Sequence, residues 1–275
     1  MSILQALILG LVQGATEFIP VSSSGHLVLV PWLLGWPSPS LAFDTMVHWG
    51  TLVAVMVYFW RDWRSIIAAW FRGLKRRDWS DPLARMGWLL VIGTVPAAVL
   101  GFLFESWFEA LFSEPVWVSM FLLGTAGLLV LGEWFGTQSF AEGGAREMDS
   151  LQWPHALVIG FAQAAAIAPG ISRSGATMST GLAGGLQRPT AARFSFLLSA
   201  PIIFGAGLLQ LTKLASTPDA LAQAPFLAAG FLVAAVVGYL CIWGMLRYLQ
   251  RGRLYPFAIY CACLGIFCLV VAWWR

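Results

Sequence analysis

Six apolar segments of this chain are each long enough to cross a lipid bilayer, and they constrain the fold more than any other feature. A helix needs about 20 residues to cross the hydrocarbon core, and in lipid its backbone must satisfy its own hydrogen bonds. Only 11% of the 275 residues are charged, against about 25% in soluble domains. The sequence therefore predicts an all-α polytopic membrane protein, a single membrane domain over residues 1–275. The six segments are residues 45–60, 86–104, 116–134, 194–212, 225–246 and 255–274.

The distribution of Lys and Arg predicts how the spans are oriented, because basic connections stay on the cytoplasmic side. The 61–85 connection is the most basic and is predicted to lie inside, whereas the 105–115 connection is acidic and is predicted to lie outside. Both chain termini then lie outside. The stretch Arg61–Arg77 mixes basic and aromatic residues, so it is either a segment along the inner membrane surface or an ordinary basic loop. No nucleic-acid partner is expected, because the basic residues cluster in short loops.

Two further apolar segments, residues 3–35 and 154–187, are too long for one crossing and too short for two. Each is interrupted near its middle by a cluster of Pro, Gly and Ser residues. Such a break is tolerated at membrane depth only where it lines a protein cavity. We predict that both segments are re-entrant helix–loop–helix hairpins.

The two hairpins also resemble each other in sequence. Each is followed by three spans, so the second copy must enter the membrane from the opposite face. We predict an inverted-topology repeat, residues 1–135 and 154–275, with a site near the bilayer midplane. At an offset of 150 residues, Gly10, Gln13, Ser22, Ser24 and Gly25 fall on Gly160, Gln163, Ser172, Ser174 and Gly175.

The second break places an arginine between two apolar runs. A guanidinium at membrane depth is costly, so it normally faces a cavity and a partner. The glycines around Arg173 admit backbone amides to a ligand, the hydroxyls add donors, and the arginine fork matches phosphate oxygens. The alternative is an arginine that snorkels or pairs with a Glu for packing. The predicted phosphate-binding residues are Gly170, Ser172, Arg173, Ser174, Gly175 and Thr177.

The first break carries groups suited to a metal ion and to proton transfer. Gln13 and Glu17 are four residues apart on one helix face and offer oxygen ligands for Mg²⁺ or Ca²⁺ held jointly with phosphate. The alternative is a packing Gln13 and a Glu17 that pairs with Arg173. His26 titrates near neutral pH, which fits proton transfer or nucleophilic attack.

Other polar residues are interpreted as structural. Asp44 is expected to cap a helix, and His48 to lie behind the site or at the membrane interface without a catalytic role. Glu133 and His155 are expected to face the interface. The four cysteines lie in apolar runs and are interpreted as small core residues rather than disulfides or metal ligands.

Two motifs closely resemble the signatures of the undecaprenyl-diphosphate phosphatases, the bacitracin-resistance family. They are Gln-Gly-Ala-Thr-Glu-Phe-Ile-Pro-Val-Ser-Ser-Ser-Gly-His at 13–26 and Pro-Gly-Ile-Ser-Arg-Ser-Gly-Ala-Thr at 169–177. The order, separation and span pattern also fit, so the resemblance covers the whole chain. The family's (Glu/Gln)-x-x-x-Glu motif falls on Gln13 and Glu17, and its histidine on His26. Gln13 is an allowed alternative to Glu but leaves one acidic metal ligand fewer.

The resemblance implies a bacterial inner-membrane enzyme that removes the terminal phosphate from a C55 polyprenyl diphosphate lipid. Its product is the carrier used again in peptidoglycan synthesis, and its activity confers bacitracin resistance. Arg173 and the Gly170–Gly175 backbone would hold the phosphates, and Glu17 with Gln13 a divalent cation. Ser23 or an activated water would attack, with His26 transferring a proton. Ser22, Ser172, Ser174 and Thr177 would add hydrogen bonds to the substrate.

The sequence leaves several alternatives open. It does not decide between Ser23, His26 and water as nucleophile. A lipid flippase or transporter is a rival function, because inverted repeats around a midplane site are a transporter architecture. A non-catalytic protein that binds a diphosphate lipid is a second rival. The oligomeric state is not determined by the sequence, and a homodimer is one of the states it allows.

Overall fold

The computed structural model describes residues 1–111, 114–214 and 220–275, and it confirms the predicted all-α architecture. No strand occurs within these ranges, where the one β-type contact is an isolated bridge between Arg146 and Leu186. The helices are α1 (Ile3–Phe18), α2 (Ser23–Leu34), α3 (Leu41–Tyr58), α4 (Trp60–Arg76), α5 (Pro82–Leu103), α6 (Glu105–Leu111), α7 (Pro115–Gly143), α8 (Trp153–Ala165), α9 (Arg173–Ala183), α10 (Arg188–Leu214), α11 (Ala220–Tyr248) and α12 (Tyr255–Trp274).

The six predicted spans are confirmed as long apolar helices. Within the described residues, α3, α5, α7, α10, α11 and α12 are long and apolar enough to cross a membrane. Helix α7 runs to Gly143, nine residues beyond the predicted end of its span at 134. Most of the 61–85 connection forms helix α4, whose buried face includes Ile66 and Ala69, so it is more than a loop. The 105–115 connection includes residues 112 and 113, which lie outside the described residues.

The two predicted hairpins are pairs of helices, α1 with α2 and α8 with α9. At a rise of about 1.5 Å per residue, even α1, with 16 residues, is shorter than the hydrocarbon core, about 30 Å thick. Helix α2 has 12 residues and α9 has 11, so each reaches only about halfway across. None of the four helices can therefore cross a bilayer alone.

Each hairpin packs against a span from the other half of the chain. Helix α1 packs on α11, and α8 packs on α5. Glycine allows both contacts: a Cβ at Gly10 would lie 2.6 Å from the carbonyl oxygen of Gly230, and a Cβ at Gly160 would lie 2.6 Å from that of Gly93. Gly10 and Gly160 are equivalent positions at the 150-residue offset, so equivalent helices make equivalent contacts.

Two of the structural interpretations are wrong. Ser40, not Asp44, caps α3, and its hydroxyl accepts a hydrogen bond from the Phe43 amide at 3.2 Å. The helix starts earlier than hydropathy indicates, so Asp44 falls in its first turn. Glu133 does not face the interface: it is 1% exposed and accepts hydrogen bonds from the Arg188 guanidinium and, at 3.0 Å, from the Leu254 amide. These contacts join α7, α10 and the start of α12.

The remaining structural interpretations have mixed outcomes. His155 is half-buried at the start of α8 and lies 3.1 Å from a guanidinium nitrogen of Arg146. All four cysteines are free, as expected. Cys261 and Cys268 are buried, whereas Cys263 is exposed and is not a core residue.

Candidate active site

The two breaks meet in the interior of the molecule. A Cβ at Gly25 would lie 3.2 Å from the Cα of Gly170, so the backbones touch at these positions. Each break ends in the same cap: the Ser22 hydroxyl accepts from the Gly25 amide at 3.3 Å, and the Ser172 hydroxyl accepts from the Gly175 amide at 3.0 Å. The amino-terminal ends of α2 and α9 therefore lie next to each other.

A buried carboxylate, Glu17, lies at this junction and accepts hydrogen bonds from both breaks. Its Oε1 accepts from Nη2 of Arg173 at 2.6 Å, and its Oε2 from Oγ of Ser23 at 2.5 Å. Nε2 of Gln13 donates to the same Oε2 at 3.1 Å. His48 on α3 places Nε2 3.9 Å from Oε2, close enough for an ion pair when it is protonated. Glu17 is only 6% exposed, so these contacts form in a largely dry environment.

Arg173 is held in place by groups on α9 and α10. Its Nη1 donates to the Ser195 carbonyl oxygen at 3.4 Å. The Thr177 hydroxyl donates to the Arg173 carbonyl oxygen at 2.8 Å. The same hydroxyl lies 2.6 Å from the Ser195 hydroxyl, to which it is hydrogen-bonded. Since its side chain is 14% exposed, the guanidinium is fixed near Glu17 and has little contact with solvent.

Both ring nitrogens of His26 are engaged. Nδ1 lies 2.7 Å from the Ser22 carbonyl oxygen, which can only accept, so Nδ1 carries a proton. Nε2 lies 2.7 Å from the Tyr260 hydroxyl of α12, and the two rings stack at an interplanar angle of 6°. In the neutral imidazole, Tyr260 therefore donates to Nε2. Within the described residues, His26 has no hydrogen bond to Glu17.

The second break has a backbone conformation that requires glycine. Gly170 has φ of 103°, and a Cβ there would lie 2.3 Å from the Val118 carbonyl oxygen. The hydroxyl of Thr125 on α7 donates to the Gly170 carbonyl oxygen at 2.8 Å and accepts from the Ser172 amide at 2.9 Å. These contacts fix the loop before Arg173 enters α9.

A divalent cation fits the donor set next to Glu17. Oε1 of Gln13 is buried and has no hydrogen-bond partner, although a buried amide oxygen normally has one. Together with the carboxylate it supplies oxygen ligands of the kind that Mg²⁺ and Ca²⁺ prefer. Among the described residues, no three or more His, Cys, Asp or Glu side chains are arranged so that they could hold a metal ion by themselves. The protein therefore offers few ligands, and a cation would need further oxygens from the substrate.

Most of the predicted site residues lie around this junction. Gln13, Glu17, Ser23 and Arg173 form one hydrogen-bonded cluster, and Thr177 supports it. The Ser22 carbonyl oxygen accepts a hydrogen bond from Nδ1 of His26. Ser174 approaches the first break through the Ile19 carbonyl oxygen at 3.5 Å.

Three supporting residues were not predicted: Thr125, Ser195 and Tyr260. They are polar groups on long apolar spans. Isolated polar side chains in such helices often form hydrogen bonds between helices, and this signal could have identified them.

The arrangement favours binding of an anion with several oxygens. Two helix amino termini carry partial positive charge and first-turn amides without intrahelical acceptors. Arg173 adds a full charge and a planar pair of donors. The Ser23 hydroxyl donates to a carboxylate, which is the contact that prepares a hydroxyl for nucleophilic attack. The site can therefore bind a phosphate group and present it with a nucleophile.

Sequence comparisons connect this site to known proteins. Residues 6–267 match the family described as "Bacitracin resistance protein BacA". The chain is 44% identical over 275 residues to a protein of Moorella thermoacetica named "Undecaprenyl-diphosphatase", covering 100% of both chains. Relatives with the same name from Rubrobacter xylanophilus and Desulforudis audaxviator are 48% and 43% identical, and the matches cover 94% or more of each chain.

Proposed function

The chain belongs to the bacitracin resistance protein BacA family, and we propose that it is a membrane phosphatase that hydrolyses undecaprenyl diphosphate. The products are undecaprenyl phosphate, the lipid carrier of peptidoglycan synthesis, and inorganic phosphate. The observation that carries this function is the Glu17–Ser23–Arg173 cluster where two helix amino termini meet. A flippase needs no carboxylate bonded to a hydroxyl beside a phosphate-binding arginine. The hydrolase is therefore the better account of the site.

Substrate binding requires a change of partners at Arg173. The guanidinium pairs with Glu17, and it must turn toward the diphosphate to bind phosphate oxygens in a bidentate way. The carboxylate would then lose its counter-charge, which is costly for a buried acid. In this proposal Gln13 and Glu17 would hold a divalent cation, which would supply positive charge to the carboxylate and to the phosphate oxygens when bound.

Ser23 is the best-placed nucleophile. Its hydroxyl already donates to Glu17 Oε2, so the carboxylate can take the proton as the oxygen bonds to the terminal phosphorus. The bond from that phosphorus to the bridging oxygen breaks, and undecaprenyl phosphate leaves. Water then cleaves the phosphoserine and releases phosphate. In the alternative route, a water molecule at the position of the Ser23 hydroxyl attacks the terminal phosphorus and gives both products in one step. His26 and Tyr260 form the neighbouring proton-transfer pair.

We also propose that the two halves form an inverted repeat with re-entrant hairpins. Arg275, at the end of α12, donates to the carbonyl oxygens of Trp32 and Leu33 at the end of α2. At α9, the Arg146 amide after α7 donates to the Gly185 carbonyl oxygen. If the six spans alternate in direction, α7 and α12 end on opposite faces of the membrane. Because α9 ends beside the end of α7 and α2 ends beside the end of α12, α2 and α9 run from a shared centre to opposite faces. Their combined 23 residues span about 35 Å, close to one bilayer thickness.

The chain is a multi-pass membrane protein, and we place it in the bacterial cytoplasmic membrane, where the resemblance puts its lipid substrate. The polyprenyl tail would lie between helices while the diphosphate reaches the junction of the breaks. A homodimer stays a prediction.

A phosphate-release assay on the purified protein in detergent tests the function. Detergent removes the two compartments, so a flippase or a lipid-binding protein releases no phosphate. We expect release from the C55 diphosphate, faster than from a C15 diphosphate because the longer tail contributes binding between helices. Glu17→Ala is the matched inactive variant. A folded wild-type protein that releases no phosphate with added Mg²⁺ or Ca²⁺ would exclude the phosphatase.

A further inference from the structure

A cavity of about 550 Å³ lies where α3 and α11 end, away from the site described above. Tyr58 is the last residue of α3, ten residues and about 15 Å along that helix from His48, which contacts Glu17. The cavity therefore belongs to a different region of the molecule. Its lining residues are Tyr58, Trp243, Leu246, Arg247, Gln250 and Arg251.

The cavity carries positive charge that no acidic residue balances. Two of its lining residues are arginines and none is acidic. The Arg247 guanidinium lies over the Trp243 ring at 5.7 Å, and within the described residues neither it nor that of Arg251 has a carboxylate or carbonyl partner. Asp62, four residues after Tyr58 in the sequence, is paired with Arg193. Both cavity arginines are therefore free to bind an anion.

The cavity also has an apolar wall that continues into the membrane-facing surface. Trp243 and Leu246 belong to the candidate span Gln223–Tyr248, and Trp243 is 53% exposed. Arg251 and Gln250 lie just beyond the end of that helix. Polar and charged groups thus lie at the loop end of the cavity, and apolar groups lie toward the span. A ligand that matches both is amphiphilic, with an anionic head and an apolar body.

We propose that this cavity binds the phosphate headgroup of an anionic phospholipid. Arg247 and Arg251 would contact the phosphate oxygens, with Gln250 as a further donor and Trp243 against the glycerol and first acyl carbons. The volume is in the range of small-ligand sites, about 300–1,000 Å³. Basic pockets between membrane helices on the positively charged face bind anionic headgroups, and Trp and Tyr settle at the same depth.

Lipid binding to the full chain in nanodiscs tests this proposal. Native mass spectrometry would measure how phosphatidylglycerol exchanges onto protein prepared in phosphatidylcholine. We expect R247Q/R251Q to bind phosphatidylglycerol on the order of tenfold more weakly than wild type, and Arg251→Gln alone about fivefold. The matched control is Arg253→Gln, an exposed arginine of the same loop outside the lining, which should bind like wild type. Unchanged affinity in Arg251→Gln and the double variant would overturn the site.

Two further measurements show whether the variants are folded and whether the ligand is a lipid or a free anion. Phosphate release in detergent should be unchanged in both variants, because the cavity lies outside the catalytic cluster. If the double variant does not fold, Arg251→Gln, in an exposed loop position, decides the question alone. Inorganic phosphate added to phosphatidylcholine nanodiscs should not raise the melting temperature. A rise that depends on Arg251 and exceeds the effect of phosphatidylglycerol would assign the cavity to a free anion and overturn the lipid proposal.

Discussion

Glu17 receives hydrogen bonds from three different side chains, so single substitutions at this site are expected to have large effects. A buried carboxylate is tolerated only when its charge is paired and its oxygens are hydrogen-bonded. Arg173 supplies the charge, while Ser23 and Gln13 supply donors to the other oxygen. Losing Arg173 would leave the buried carboxylate without its counter-charge, and losing Ser23 or Gln13 would remove one of the two donors to Oε2. Effects on activity should therefore be large even for conservative substitutions.

Arg173→Lys is expected to lose activity although the positive charge is kept. A lysine ammonium cannot contact Glu17 and the Ser195 carbonyl together, and it cannot form a bidentate pair with phosphate. We expect kcat/KM to fall on the order of 100-fold in the phosphate-release assay. Arg188→Lys, in the buried pair with Glu133, is the matched control and should keep most of the activity. Near-normal turnover in Arg173→Lys would make Arg173 a structural ion-pair residue.

Substituting Glu17 should change the dependence of activity on the divalent cation more than substituting Gln13 does. Excess chelator is expected to abolish phosphate release, and Mg²⁺ or Ca²⁺ to restore it. Glu17→Gln removes the charged member of the proposed ligand pair as well as the general base, so most activity should be lost. The cation concentration for half-maximal residual activity should rise by more than about tenfold in Glu17→Gln, and by less in Gln13→Ala. Full activity in excess chelator would remove the metal-ligand role and leave Glu17 only as the general base and the partner of Arg173.

At the scale of elements, the breaks are rigid connections that aim two helix amino termini at one point. Gly170 is central because it has positive φ and packs against the Val118 carbonyl oxygen. Thr125 then ties both sides of the loop to α7. The helix dipoles are useful only while this connection holds their ends together.

Gly170→Ala should destabilise the fold as well as the site. The methyl group would meet the Val118 carbonyl oxygen at 2.3 Å, and alanine disfavours φ of 103°. We expect a loss of about 2–4 kcal/mol in the free energy of unfolding, seen as a lower melting temperature in detergent. The control is Gly124→Ala on α7, where an added Cβ meets no atom within 4 Å. Equal stability of the two variants would contradict the required glycine.

The elements were more predictable from sequence than their partners. The spans and both breaks follow from the length of apolar runs and from Pro, Gly and Ser clusters, which are local properties. The contact of His26 with Tyr260 joins residues 234 positions apart, and periodicity does not indicate which helix faces meet. The prediction for Glu133 is wrong for the same reason, because its partner Arg188 lies 55 positions away. The prediction for Asp44 is wrong because the hydropathy pattern marks the apolar run and not the helix start at Leu41.

At the scale of the whole molecule, the proposed repeat predicts a definite topology. The N-terminus and Arg275 should lie outside and the 61–85 connection inside. Single cysteines at Ser2, Ser80 and Trp274, in a chain whose native cysteines are replaced, would report this in intact cells. A membrane-impermeant thiol reagent should label Ser2→Cys and Trp274→Cys directly and Ser80→Cys only after lysis. Labelling of all three only after lysis would overturn the topology and the re-entrant hairpins with it.

In the proposed repeat, the two halves contribute different groups to one site. At the 150-residue offset, Ser23 and Arg173 are equivalent first residues of α2 and α9, and both contact Glu17. The first half thus supplies the carboxylate and hydroxyl, and the second half supplies the cationic group. Neither half holds a complete set, so activity depends on the contact between the breaks.

His26→Ala and Arg173→Ala should therefore have non-additive effects, since residues that act as one catalytic unit lose function together. We expect the double variant to be scarcely less active in phosphate release than the poorer single variant. The matched control is Tyr58→Phe, at the far end of α3, which should leave the activity of both wild type and Arg173→Ala unchanged. If the losses of His26→Ala and Arg173→Ala multiply, the first and second breaks work independently and do not form one active site.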